Sequence, residues 1–266
     1  MTRNGDEQSS ITETLEVPCL KDHPPLVVDR PELSASSPCP SLPELTTGRR
    51  SRSISSSLVI ALDLESVLVP EIWETVSRTT GVERLGLTTR DTPEFGTLMR
   101  ERMRLCREHG LSLARLREVV GNMQPLPGAV EFLSWVQERM LAVIVSDTYH
   151  ELAGPLVEKL GCPLMVCNGL TLDEEGYIAG HRAHHVRGKA GVVEHFQRLA
   201  CQVIAVGDSH NDLPMLKAAN AGILFRPCSG LVKSVKGLPL VWSLEELQSE
   251  LKKRLTGIPL LTAALA

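Results

Sequence analysis

The chain has 266 residues, 42% hydrophobic and 23% charged, with a net charge of -4 and a pI of about 6.1. That balance suits a soluble globular protein and offers no basic surface for nucleic acid or an anionic membrane. No apolar run nears the ~20 residues that span a bilayer, and the seven scattered cysteines, without a CxxC pair, point to a reducing, cytoplasmic setting.

Residues 1–57 hold seven of the 17 prolines and no Phe, Trp or Tyr. Such a segment cannot bury enough apolar surface to offset its ordering entropy, so a disordered extension is predicted. Its eight acidic and six basic side chains argue against a transit peptide.

From residue 58 short apolar runs alternate with amphipathic stretches. "SLVIALDL" is strand-like, β-branched and too short for a helix. Residues 72–124 then show only helical periodicity and read as a small cap inserted after the first strand. "PGAVEFLSWVQERM" predicts a helix whose apolar face is Val130, Leu133 and Val136. "LAVIVSD" is a second buried strand, followed by the helix "ELAGPLVEKLG", stopped by Gly161. "PLMVC" is a short third run, and "NGLTLDEEGYIAG" alternates around its DEEG turn like a hairpin. "CQVIAVGD", "NDLPMLKAAN" and "AGILF" add strand, helix and strand. Ser243 and Glu246 form a predicted capping box for a last surface helix, ahead of a tail at 257–266.

Continuous apolar strands alternating with helices predict an α/β fold, a parallel sheet covered on both faces. Its core is assigned to 58–71 and 125–256. Ligands of such sheets bind at the carboxyl ends of the strands. Three of the predicted strands end in polar groups: Asp63 and Glu65, then Ser146 and Asp147, then the run "GDSHND" with Asp208, Asn211 and Asp212. Lys189 opens the intervening helix. A carboxylate nucleophile, a hydroxyl donor, a cation and a cluster of hard oxygen ligands suit phosphoryl transfer with Mg²⁺, where catalysis is mostly positioning and charge neutralisation.

These stretches resemble the four signature motifs of the haloacid dehalogenase superfamily, in its phosphoserine phosphatase branch. The resemblance is strongest to the bifunctional phosphoserine phosphatase/homoserine phosphotransferase type. "DLESVLVPEIW", "TTRD", "LMRERMRL", "EHGL", "PLPGAVEF", "SDT", "GDSHND" and "AGILF" carry it, in order, from about residue 58 to 250. It implies a Rossmannoid core with a helical cap, phosphoserine and homoserine as substrates, Mg²⁺ as cofactor and a homodimer. Asp63 would be the nucleophile and Glu65 the general acid and base. Asp63, the backbone carbonyl of Glu65 and Asp208 would hold Mg²⁺, with Asp212 supporting. Ser146 and Lys189 would hold the phosphoryl oxygens, and Asp147 and Asn211 would line the substrate. Glu71 would take its ammonium and Arg102 its carboxylate.

Without the resemblance, Arg102 reads as a surface arginine, Glu71 as a helix-start acid and Trp73 as a core residue. Two positions depart from most phosphoserine phosphatases: Glu65 and Asp147 replace aspartate and glycine, as the bifunctional type also does. Ser66 departs from the bifunctional type, which carries glycine there. A phospho-aspartate switch of the receiver type shares the strand-end aspartate but lacks a helical cap and an acid two residues on. His181, His184 and His185 read as a solvated strand, and Cys162 and Cys167 as small packed hydrophobes.

Overall fold

The structure, a computed structural model, describes residues 57–256 apart from 89–90, 92–93 and 184–186. The expected extension (save Ser57), the expected tail, His184 and His185 lie outside the described residues. In chain order the elements are β1 (Leu58–Leu62), α1 (Ile72–Thr80), α2 (Phe95–Glu108), α3 (Leu113–Asn122), α4 (Ala129–Gln137) and β2 (Leu141–Tyr149). Then follow α5 (His150–Lys159), β3 (Leu164–Leu172), β4 (Ile178–Arg182), α6 (Gly188–Arg198) and β5 (Gln202–Gly207). The last are α7 (Leu213–Ala218), β6 (Ala221–Phe225), α8 (Ser229–Ser234), β7 (Leu240–Val241) and α9 (Leu244–Thr256). No helix among the described residues is long and apolar enough to cross a membrane, and the five described cysteines are free thiols.

The strands form one seven-stranded sheet in the order β4-β3-β2-β1-β5-β6-β7. All neighbours are parallel except the edge pair β3 and β4. Strand residues alternate between two apolar layers, as the pleat requires. Ile60, Leu62, Ile144, Val206 and Phe225 face one side, which packs on the insert helices α1 to α3 and on α4, α5 and α9. Val59, Ala61, Val143, Val145 and Ala205 face the other, covered by α6, α7 and α8. Both layers are apolar because Leu58–Leu62, Ala142–Val145 and Val203–Val206 carry hydrophobic side chains on both faces of the pleat.

Three expectations change in detail. The α4 face is Ala129, Phe132, Leu133 and Val136, and Val130 is exposed. Positions i, i+3, i+4 and i+7 share one stripe of a 3.6-residue helix, whereas i, i+3 and i+6 drift off it. The third apolar run and the first hairpin arm are one strand, β3, whose pairing partner changes along its length: β2 early, β4 late. At α9, Ser243 Oγ accepts from the Glu246 N–H at 3.2 Å, but Glu246 reaches back to the Trp242 N–H, one residue before the cap.

The β3–β4 turn leans on the insert. Asp173 Oδ1 accepts from the N–H groups of Glu175 and Tyr177 at 3.0 and 2.9 Å and shapes the turn. Arg107 of α2 pairs with Asp173 and Glu175 and lies over the Tyr177 ring, 4.7 Å from its centroid. The Leu113 N–H donates to Gly176 O at 2.9 Å. Hairpin and helical insert are thus joined.

Candidate active site

The site follows from strand order. β1 lies between β2 and β5, with Leu62 level with Ile144 on one side and Val206 on the other. The chain following β1 therefore emerges beside the ends of both neighbours, at the point where the connections switch direction. The Asp63 N–H continues the ladder to Val206 O at 2.9 Å, so its carboxylate is set by the sheet and not by a loose loop.

One cavity at these ends is lined by all ten predicted site residues except the buried Asp212, which sits beneath it. Asp63, Asp208 and Asp212 each place a carboxylate oxygen within 4.8 Å of the other two. Lys189 Nζ stands among them, 2.8 Å from Asp63 Oδ1 and 2.6 Å from Asp212 Oδ1, with Asp147 Oδ2 at 3.6 Å. Lys189 is only 8% exposed, a buried cation and not a solvated lysine on the helix face.

Asp212 organises the floor. Its Oδ2 accepts from the N–H groups of Asp208 and Ser209 and from Ser209 Oγ, each at 3.0 Å. Burial disfavours its charge, but Lys189 and the Ser209 donors outweigh that and hold its carboxyl below the usual range. Asp63 moves the other way: burial and the Asp212 charge push it well up, against the pull of Lys189. Lys189 itself is held well above its ordinary value, because Asp63, Asp212 and Asp147 overcome the cost of burial. Asp63, Asp208 and Asp212 thus set three buried carboxyl groups against one buried ammonium, Lys189.

Gly207, ending β5, makes this packing possible. A Cβ there would overlap the Asp212 side chain. Gly207→Ala is expected to displace Asp212, destabilise the fold by about 1–3 kcal/mol and abolish most turnover. Thermal melts and a phosphate-release assay check both halves.

On the wall, Glu65 Oε1 accepts from the Ile72 N–H that opens α1, at 3.1 Å. Burial and then the neighbouring Glu71 charge push its carboxyl up to about 8, while the Ile72 hydrogen bond, Arg102 and Lys189 pull the other way. Glu71 precedes the same helix, and Ser66 Oγ donates to its Oε1 at 2.9 Å. Ser146 Oγ accepts from the Thr148 N–H at 3.2 Å, a turn contact that leaves its proton to donate.

Arg102 is 7% exposed and not a surface arginine. Its guanidinium lies over Trp73, 4.6 Å from the ring centroid, and Nη2 donates to Leu87 O at 2.7 Å. Burial pushes it down to about 10, resisted by Glu65, Tyr149 and Glu71, so it stays charged at neutral pH. Trp73 both fills the core and lines the cavity.

The sequence reading passed over Tyr149. Its ring is buried and its hydroxyl, like Arg102 Nε, has no partner among the described residues. The available signal was an aromatic residue directly after the polar strand end "SDT". His181 packs edge-on against Tyr149 and Phe95, with centroids 6.2 and 5.5 Å apart, and is not simply solvated. Cys167 is buried as expected, but Cys162 is exposed in a left-handed turn. His210 is exposed and does not line the cavity.

Comparison with known proteins adds the following. The profile of the haloacid dehalogenase-like hydrolases matches residues 60–217. The chain is 42% identical over 195 residues to a Pseudomonas aeruginosa protein named phosphoserine phosphatase ThrH, covering 73% of this chain and 95% of that one. A phosphoserine phosphatase of Pseudomonas syringae pv. tomato is also 42% identical, over 73% of this chain and 82% of its own. Among solved structures, a phospho-aspartyl intermediate analogue of phosphoserine phosphatase superposes with a TM-score of 0.59 at 20% identity, covering 73% and 99% of the two chains. That likeness speaks for the fold.

Proposed function

The chain belongs to the haloacid dehalogenase-like hydrolases, and on that premise we propose that it is a Mg²⁺-dependent phosphatase of O-phospho-L-serine that also passes the phosphoryl group to homoserine. The observation that carries this reading is the make-up of the cavity. Its floor gathers Asp63, Asp208 and Lys189, and its walls present Glu71 and Arg102. A phosphorylated amino acid offers a phosphate, an ammonium and a carboxylate to match. The unpartnered Tyr149 hydroxyl and Arg102 Nε are two donors that a carboxylate would satisfy. The two relatives at 42% identity, both named phosphoserine phosphatases, support the same substrate.

The donor set fits Mg²⁺: hard carboxylate oxygens, close together. Asp63, the Glu65 carbonyl and Asp208 would hold the ion, and Asp212 would support them. When bound, it supplies the positive charge that lets an anionic phosphate approach an anionic nucleophile.

The residues divide the work. The Leu64 N–H and Lys189 both hold Asp63 Oδ1 at 2.8 Å, so Oδ2 attacks phosphorus. As the Asp63–phosphorus bond forms, the bond from phosphorus to the serine oxygen breaks, and Glu65 donates its proton to that oxygen. Ser146 and Lys189 hold the phosphoryl oxygens meanwhile. Glu65, now a carboxylate, takes a proton from water or from the homoserine hydroxyl, whose oxygen attacks phosphorus and frees Asp63. Water yields serine and phosphate, and homoserine yields phosphohomoserine, a place in serine and threonine biosynthesis. A homodimer in the cytoplasm, with the helical insert at 72–124 as a cap over the substrate, completes the reading.

The purified protein with Mg²⁺ is expected to release phosphate from phosphoserine. Homoserine added to the same tube should lower free phosphate and yield phosphohomoserine in its place. Faster turnover of other small phosphomonoesters than of phosphoserine would remove the substrate assignment, and no phosphohomoserine would remove the transfer.

A further inference from the structure

Ser66 stands three residues after Asp63 with φ of 62°, in the left-handed region that glycine enters freely and other residues enter at a cost. The turn imposes this conformation. The Ser66 N–H donates to Val69 O at 2.7 Å, and the N–H groups of Leu68 and Val69 both donate to Leu64 O, at 2.9 and 3.1 Å. Nothing in the backbone needs a side chain here. What the side chain adds is one contact: its hydroxyl donates to Glu71 Oε1 at 2.9 Å.

Glu71 occupies the position where an acid ordinarily folds back onto the first N–H groups of its helix, yet its side chain makes no such cap. Glu65 takes the Ile72 N–H instead. The Glu71 carboxylate is therefore turned toward Ser66, in the wall of the cavity.

We propose that Ser66 is a positioning residue for substrate selection: it holds Glu71 in the orientation that receives the ammonium of a phosphorylated amino acid, and the chain accepts a left-handed serine beside its nucleophile to do so. This rests on the reading of the substrate as phosphoserine and names the device by which its amino group is sensed.

The test compares Ser66→Gly and Ser66→Ala with the wild type on two substrates: phosphoserine, and the same phosphomonoester with hydrogen in place of the ammonium. Both variants should lose about tenfold in kcat/KM on phosphoserine, mainly through KM, the size expected for a hydrogen bond to a charged group. Neither should change on the analogue. Ser66→Gly should melt a few degrees above Ser66→Ala, since glycine suits the turn, so the shared kinetic loss tracks the hydroxyl and not stability. In a Glu71→Gln background, Ser66→Gly should cost less than twofold further.

An unchanged KM for phosphoserine, or an equal loss on both substrates, would overturn the proposal, the latter marking a loosened turn beside Asp63. A full tenfold loss persisting in the Glu71→Gln background would overturn it as well. A wild-type protein inert toward phosphoserine would remove the substrate reading itself, and this inference with it.

Discussion

Asp63→Asn is expected to lower phosphate release from phosphoserine by about 10⁴-fold or more, while the protein folds and melts at a higher temperature than the wild type in metal-free buffer. The amide keeps an oxygen to accept from the Leu64 N–H, now 2.8 Å from Asp63 Oδ1, so the turn survives. What is lost is the electron pair that attacks phosphorus. Ser146 and Lys189 would still bind the phosphate, leaving any residual rate to positioning alone. The stability gain follows from the direction of the Asp63 shift. Burial and Asp212 raise its pKa in the folded state despite Lys189, so the folded protein resists ionising it and is weakened at neutral pH by doing so. A neutral side chain removes that penalty. The opposed changes are those of a residue kept for chemistry and not for stability. Retention of more than about 1% of wild-type turnover would take the nucleophile's role away from Asp63.

Glu65→Gln is expected to cost about 10²–10⁴-fold and to reshape the pH profile. An acid held up to about 8 is protonated at neutral pH, ready to protonate the departing serine oxygen. Wild-type kcat/KM on phosphoserine should therefore fall as pH rises past about 8, and the variant should lack that limb. With an aryl phosphate, whose leaving group needs no proton, the variant should release one equivalent of the phenol rapidly and then stall. Without a base, the second half-reaction leaves phosphate on Asp63. Stability gives a separate readout. The folded pKa lies above the ordinary value of 4.5, so the folded protein holds an extra proton between about 4.5 and 8. Wild-type stability is then lost as pH climbs through that window, and the glutamine variant does not share the loss. In metal-free buffer the melting temperature of Glu65→Gln relative to wild type should widen from pH 5 to 8 and level off above. An unchanged high-pH limb in Glu65→Gln would mean that another group supplies the proton.

The long helical stretches and apolar strands were readable because their signals are local. A parallel strand buried on both faces must be apolar throughout, as "LVIAL" and "VIAV" are, and a strand end that carries Asp63 or Asp208 breaks that run visibly. The α4 face went astray because periodicity over nine residues admits more than one stripe, and only contact with the sheet chooses Phe132 and Leu133 over Val130. β3 read as two shorter pieces because Asn168 and Gly169 interrupt its apolar run, at the point where its neighbour changes from β2 to β4. Arg102 looked like a surface residue because three of its four neighbours in "RERMR" are charged; its burial comes from Trp73 and Leu87, more than a dozen residues away.

From the sequence alone came the kinds of groups at each strand end and their order along the chain, since both are written in consecutive residues. Where those groups meet was decided by the tertiary structure. Placing β1 between β2 and β5 brings Asp63 beside Asp208, and Asp212 binds a lysine 23 residues before it, so Lys189 becomes the buried counter-charge. Ser66 and Glu71 face each other only because the turn forces a left-handed serine. Distances of 2.6 to 2.9 Å between such groups depend on strand order, register and turn geometry, and side-chain periodicity carries none of these.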